Sequence, residues 1–202
     1  MNNNLSIIQT KGQQIFGQHF QIIPEDAEPI QKLLTWFLQD ETQAQHFGLN
    51  LHKGILLTGP VGCGKTSLIS LMREMVPQQQ RFAIKSCREI TFEFIKDGFE
   101  TIQRYSTNAY NNSTNPPQPR IHCFDDLGAE STLKYYGNQC NVMGEILLSR
   151  YDHFINNHMI THATTNLSAS ELESYYGNRV RSRMREMFNL IAFDSHAKDK
   201  RK

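Results

Sequence analysis

The spacing of apolar residues predicts a chain in which helices and strands alternate. After Pro29, apolar side chains recur every three or four residues over 30–38, which predicts a helix. Five short apolar segments predict strands at 54–58, 81–86, 121–125, 159–164 and 190–193. The segments between them predict helices at 65–75, 90–102 and 138–156. Such alternation predicts an α/β fold, with a five-stranded parallel sheet flanked by helices.

Changes in composition along the chain predict where its parts begin and end. The 202 residues favour one domain of ordinary size. We predict a short extension with one helix over residues 1–50, a core over 51–195 and a basic tail over 196–202. Residues 106–119 are rich in asparagine and proline and have no periodicity, which predicts a loop within the core.

Composition and charge exclude several classes of protein. The longest apolar run, 190–193, is too short for a transmembrane helix, and residues 1–5 do not resemble a secretory signal. We therefore expect a cytoplasmic protein without a membrane partner. The net charge of +1 does not indicate a general affinity for polyanions, so nucleic acid would need local patches or several copies of the chain.

The most specific motif lies between the first core strand and the helix that follows. It matches G-x-x-x-x-G-K-[ST], and with the next residue it comprises Gly59, Pro60, Val61, Gly62, Cys63, Gly64, Lys65, Thr66 and Ser67. Glycines allow backbone N–H groups to converge on phosphates, and the N-terminus of a helix favours negative charge. Lys65 is expected to reach the β- and γ-phosphates, and the Thr66 hydroxyl to bind Mg²⁺. The alternative is a glycine-rich turn with a chance lysine, but such a turn would not need to lie between a strand and a helix. We therefore predict ATP or ADP and Mg²⁺ as ligands.

Two adjacent acids end the third core strand. Asp125 is assigned to Mg²⁺, because P-loop ATPases place such an acid beside the phosphate loop. Asp126 is assigned to the attacking water, although its side chain is one methylene shorter than the glutamate common at this position. The alternative is a strand-terminal aspartate that caps a turn with Gly128.

Polar residues also follow the fourth strand. The amide of Asn166 can contact both a γ-phosphate and a water, or it can cap the helix that begins near Ser168. Further on, Arg179 and Arg183 are four residues apart on a predicted helix. Its apolar residues Val180, Met184 and Met187 are predicted to face the core. The arginine pair suits delivery of positive charge to a phosphate on another molecule, but a solvated basic helix has the same pattern.

Four segments, in this order, resemble the AAA+ ATPases of the bacterial helicase-loader and transposase-helper branch (DnaC-like and IstB-like). They are GPVGCGKT, CFDDLGAE, TTNLSASEL and YYGNRVRSRM, and the likeness covers about residues 15–195. The resemblance implies a P-loop NTPase fold with an AAA+ core and no C-terminal helical lid domain. It also implies that Asn166 is the sensor-1 residue, that Arg183 is an arginine finger entering a neighbouring protomer's site, and that Arg179 is its partner at that interface.

The resemblance implies an oligomeric ATPase that acts on DNA in replication or transposition. ATP would lie between the subunits of a ring or helical filament, with single-stranded DNA at its centre and a replicative helicase or transposase as partner. Hydrolysis of ATP to ADP and phosphate would be weak in the isolated chain and would depend on assembly. Two alternatives remain: a nucleotide-gated binding module with little turnover, and a P-loop small-molecule kinase.

Overall fold

The computed structural model describes residues 2–130, 133–135 and 138–201. Within these ranges the helices are α1 (Asn2–Phe16), α2 (Ala27–Phe37), α3 (Glu41–Phe47), α4 (Lys65–Met75), α5 (Cys87–Asp97), α6 (Phe99–Tyr105), α7 (Val142–Asn157) and α8 (Ala169–Met187). The strands are β1 (Gly54–Thr58), β2 (Ala83–Ser86), β3 (Tyr110–Asn111), β4 (Gln118–Pro119), β5 (His122–Leu127), β6 (Leu133–Tyr135), β7 (Asn138–Cys140), β8 (Thr161–Thr165) and β9 (Phe188–Ala192). None of the helices described is long and apolar enough to cross a membrane.

Five of the strands form one sheet, in the order β2-β5-β8-β1-β9. Strands β2 and β8 both pair in parallel with β5. All five residues of β8 are buried, as are the first four of β1, which is typical of parallel strands covered on both faces. The predicted α/β fold with a five-stranded sheet is confirmed. Two short antiparallel hairpins, β3–β4 and β6–β7, lie outside this sheet.

The chain divides into two compact units. The first unit contains residues up to Leu51, residues 57–81 and residues from Ile191 onward, and the second contains residues 52–56 and 82–190. In the first unit, α1 and α2 both contact α4. The predicted helix at 30–38 corresponds to α2, but the extension has three helices rather than one. Helix α1 escaped prediction because it is polar, with Ile8 as its one fully buried large apolar side chain among those described.

The core of the second unit lies between strands β5 and β8 and the helices α5, α7 and α8. Its buried side chains include Phe124 and, as predicted, Val180, Met184 and Met187. The helix predicted at 90–102 is in fact two, α5 and α6. They are separated at Gly98, whose backbone (φ 60°, ψ −139°) is open only to glycine without strain. The helix predicted from residue 138 begins at Val142, because Asn141 accepts the N–H of Gly144 and caps it.

A buried arginine joins several segments of the second unit. Arg150 of α7 is inaccessible to solvent, and its guanidinium donates hydrogen bonds to four oxygens. The acceptors are Thr161 Oγ1 (2.8 Å) and the carbonyls of Tyr105 (2.9 Å), Arg120 (3.2 Å) and Ile160 (2.8 Å). Burial lowers the pKa of Arg150 to about 9, so the group remains charged at neutral pH.

Candidate functional site

The predicted phosphate loop is the connection between β1 and α4 in the first unit. Its strand and helix have the predicted bounds, Gly54–Thr58 and Lys65–Met75. Gly62 (φ +79°) and Gly64 (φ +102°) have left-handed backbones, which glycine adopts without a steric penalty. Gly64 is the N-cap of α4 and supplies no side chain to its N–H groups. The first turn of α4 therefore presents backbone donors and a positive dipole end, as phosphate binding requires.

The lysine of the motif lies against the loop itself. Lys65 is 5% exposed, and its ammonium group donates to the carbonyls of Gly59 (2.9 Å) and Pro60 (2.8 Å). The same group lies 3.8 Å from Cys63 Sγ, and burial raises the pKa of that thiol. Thr66 is exposed in the first turn of α4. A cation and a hydroxyl oxygen thus flank the N–H groups of the loop, which suits a phosphate and the oxygen ligands of Mg²⁺.

A second segment of the first unit lies on the phosphate loop. The Lys200 N–H donates to the Gly62 carbonyl (3.0 Å), and a Cβ at Gly62 would overlap the Asp199 carboxylate. The Lys200 ammonium group lies 2.5 Å from Oδ2 of Asp26, a carboxylate that is 2% exposed. The predicted basic tail therefore places an acidic and a basic side chain beside the loop. No local pattern in the chain predicts this contact, because it joins residues far apart in the sequence.

The predicted acids lie near the end of β5 in the second unit, and the strand continues to Leu127 rather than ending at Asp125 as predicted. The pairing of β5 with β8 shifts register between Phe124 and Leu127, which is where the two acids stand. Asp126 has a left-handed backbone (φ +57°), a conformation that costs a residue with a Cβ about 1 kcal/mol. A bulge in a strand changes the direction of its side chains, and such strain is concentrated at functional sites. The bulge and the strained backbone therefore indicate that the acid pair belongs to a functional site at the carboxyl end of β5.

A threonine on β8 holds both acids, and sequence reasoning missed it. The Thr164 hydroxyl donates to Asp125 Oδ1 (2.6 Å) and accepts the Asp126 N–H (2.9 Å). Asn166 Nδ2 lies 3.4 Å from Asp126 Oδ1, so the structure brings Asn166 and the acid pair together. The helix cap is Ser168, whose hydroxyl accepts the Glu171 N–H in a capping box, so the alternative role for Asn166 is wrong. The only available signal for Thr164 was a hydroxyl on a buried strand just before Asn166.

The two arginines follow an interruption of α8. Gly177 has a non-helical backbone (φ 83°, ψ 160°), and both arginines lie in the part of the helix beyond it. Arg183 is half-buried, with its guanidinium carbon 4.6 Å from the centre of the Tyr151 ring. Arg179 is exposed. The contact with the Tyr151 ring restricts the orientation of the Arg183 side chain. Among the described residues, no ring contact of this kind restricts Arg179.

Comparison with known proteins identifies the family. The model of the ATPase family associated with various cellular activities (AAA) matches residues 55–190, more than half of the chain. A search of curated proteins finds no match.

Solved structures that are similar in fold include the following three. The DnaC helicase loader has a TM-score of 0.59 at 17% identity, over 87% of this chain and 93% of that one. DnaI has a TM-score of 0.51 at 21% identity, over 74% and 73%. AMPPCP-bound DnaA from Aquifex aeolicus has a TM-score of 0.50 at 15% identity, over 86% of this chain and 48% of DnaA. At these identities the likeness establishes the fold, and the AAA match establishes the family. This chain, with its phosphate loop and its acid pair at a strand end, belongs to the AAA family of ATPases.

Proposed function

We propose that this protein is an oligomeric, magnesium-dependent ATPase that acts on DNA in replication or transposition. The observation that carries the proposal is the hydrogen-bonded cluster of Asp125, Asp126, Thr164 and Asn166. Two carboxylates and an amide at the carboxyl ends of parallel strands are the groups that hold a metal and orient a water in phosphoryl transfer.

Each residue has a distinct role in this proposal. The loop N–H groups and Lys65 bind the phosphates, and Lys65 leaves the carbonyls of Gly59 and Pro60 to do so. Thr66 and Asp125 would hold Mg²⁺, which neutralises charge on the phosphates when it is bound.

Asp126 and Asn166 would act on the attacking water. The Asp126 carboxylate accepts a proton from that water or orients it, and Asn166 fixes the direction of the carboxylate. The strained backbone of Asp126 supports this role, because it gives the short side chain a direction different from that in a regular strand.

The arginines are proposed to act on a second copy of the chain. Arg183 would enter a neighbouring protomer's site and stabilise charge on the γ-phosphate, with Arg179 at the same interface. A half-buried Arg183 held by Tyr151 supports this role better than a mobile surface arginine would. Hydrolysis would then be weak in the isolated chain and stronger in a ring or helical filament.

The fold supports a proposal about partners. Because one similar structure is a helicase loader, we propose a replicative helicase as the protein partner, with a transposase as the alternative. Single-stranded DNA would lie along the assembly and bind several protomers at once, which allows tight binding by a chain with net charge +1. The competing function is a nucleotide-gated module with little turnover, which the shortness of Asp126 favours.

The test is the rate of ATP hydrolysis per subunit as a function of protein concentration, with and without single-stranded DNA. We expect the rate to rise with concentration and to rise further with DNA. Arg183→Ala should abolish the rise while leaving nucleotide binding intact, and Arg185→Ala, which removes an exposed arginine of the same helix, is the matched control. A flat rate that Arg183→Ala does not change would contradict the shared site, and assembly with negligible turnover would identify the module.

A further inference from the structure

A buried glutamate lies just beyond the acid pair and has no role in the proposal above. Glu130 is 5% exposed, and its Oε2 accepts the Gly128 N–H at 2.8 Å. Its Oε1 accepts the hydroxyl of Tyr176, and its backbone carbonyl accepts the hydroxyl of Tyr175. Two consecutive tyrosines of α8 therefore bind the same residue of the loop that follows β5.

The two tyrosines stand where α8 is interrupted. Tyr176 immediately precedes Gly177, whose non-helical backbone separates this part of the helix from the part that bears Arg183. Asn141, the cap of α7, donates to the carbonyl of Tyr175 at 3.2 Å. The position of the interruption is thus fixed from both sides, by Glu130 and by the start of α7.

The loop on the other side of Glu130 is equally constrained. The Ala129 N–H donates to the Asp126 carbonyl at 3.0 Å, which closes a turn directly after the acid pair. Gly128 has a φ of +91°, and a Cβ there would overlap the Leu167 side chain, next to Asn166. The backbone of this turn is therefore constrained, so the position of Glu130 affects the position of Asp126.

Filling the space alone would not require a carboxylate here. Burial of an ionisable group is unfavourable unless it is hydrogen-bonded, and burial raises the pKa of Glu130 while its bonds to Tyr176 and Gly128 oppose that shift. An apolar side chain of similar size would fill the same space but would leave the Tyr176 hydroxyl and the Gly128 N–H without this acceptor. What the carboxylate adds is two directional bonds, one to the acid-bearing turn and one to α8.

We propose that Glu130 is a positioning residue that couples the acid pair to the arginine-bearing part of α8. Through Tyr176 it fixes where that part of the helix begins, and through Gly128 it fixes the turn after Asp126. This inference rests on the proposed shared-site ATPase. In that proposal each protomer has its own water-orienting acid, Asp126, and provides Arg183 to the site of its neighbour. Glu130 would set the position of these two residues relative to each other.

The test is Tyr176→Phe, which removes the hydroxyl and keeps the ring in the core. We expect kcat for ATP hydrolysis in the assembled state to fall by about tenfold, with the nucleotide Kd and KM within about twofold of the parent. The matched control is Tyr105→Phe, because Tyr105 is also buried in the second unit and its hydroxyl also binds a glutamate, Glu93, at 2.9 Å. That variant should change thermal stability without changing kcat. An unchanged kcat in Tyr176→Phe, measured well below its melting temperature, would overturn the proposal.

A double-mutant cycle separates this inference from the function on which it rests. If Glu130 acts through the arginines, Tyr176→Phe should cost little further activity in an Arg183→Ala background. Additive losses would overturn the coupling and leave the shared-site ATPase intact. If Arg183→Ala alone left the rate unchanged, the shared site itself would fail. Glu130→Gln provides the second variant, since an amide cannot accept both bonds as the carboxylate does, and its loss should match that of Tyr176→Phe.

Discussion

The phosphate loop and the acid cluster are built in opposite ways. The loop is a continuous run of residues, and its binding groups are mostly backbone N–H groups directed by the glycines and the start of α4. The acid cluster is made of side chains from β5 and β8, nearly forty positions apart, and is held by the Thr164 hydroxyl. A site made of backbone tolerates changes in most of its side chains, whereas a site made of side chains depends on each partner.

The difference separates binding from turnover. Backbone donors at a helix start recognise phosphate whatever the reaction, so we expect the loop to affect mainly the affinity for the nucleotide. A carboxylate that orients water matters only when bonds change, so we expect Asp126 and the groups that position it to affect mainly the rate. The following substitutions test that division, beginning with the largest expected effect.

Lys65→Ala should lower nucleotide affinity on the order of a hundredfold, because the proposed charge-assisted contact with the β- and γ-phosphates would be lost. Titration with a fluorescent ATP analogue measures the loss. Lys198→Ala is the control, since Lys198 is an exposed lysine of the first unit. Equal losses in the two variants would show that general positive charge, rather than the loop, provides the affinity.

Thr164→Val should lower turnover by about tenfold and change nucleotide affinity little, because it removes a donor to Asp125 and leaves the Asp126 N–H without its acceptor. Thr164→Ser keeps the hydroxyl and should restore most of the activity. The measurement is kcat together with the affinity for the nucleotide analogue. A loss of nucleotide affinity as large as that of Lys65→Ala would contradict the separation of binding by the loop from turnover by the acid cluster.

Asp199→Asn should raise nucleotide affinity by about twofold at low salt, and by less at high salt. The Asp199 carboxylate lies against Gly62, so it repels incoming phosphates through an exposed, screened interaction. Asp194→Asn is the control, because Asp194 is an exposed acid of the same segment. A fall in affinity, or a gain independent of salt, would show that the segment contributes to binding in some other way.

The same contrast explains what the sequence could predict. The loop, β1 and α4 were predicted to the residue, because their signal is local: an apolar strand, a fixed motif and a helix ended before Pro77. The acids and Asn166 were predicted because each follows an apolar strand. Thr164, Glu130 and Tyr176 were not, since their roles exist only through partners distant in the chain.

Two errors in the predicted fold have different origins. The split between α5 and α6 at Gly98 escaped prediction because the apolar pattern continues across it, and one glycine is compatible with a continuous helix. Helix α3 was not predicted because it buries only Ala44 and so has no apolar periodicity. Its sequence signals are limited to the Asp40 cap and the left-handed Gly48 at its end. The assigned roles of Lys65, Asp125, Asp126, Asn166 and Arg183 remain predictions until the variants are measured.

The buried guanidinium of Arg150 has a consequence for how the second unit unfolds. Its acceptors come from the end of α6, from the segment between β4 and β5 and from the start of β8, so none of these segments can separate without removing a hydrogen bond from a buried charge. Local fraying at any of them therefore leaves the buried guanidinium without one of its acceptors, which favours opening of the three segments together. Amide hydrogens in these segments should exchange with solvent together, as a single cooperative unit, rather than one by one from their ends.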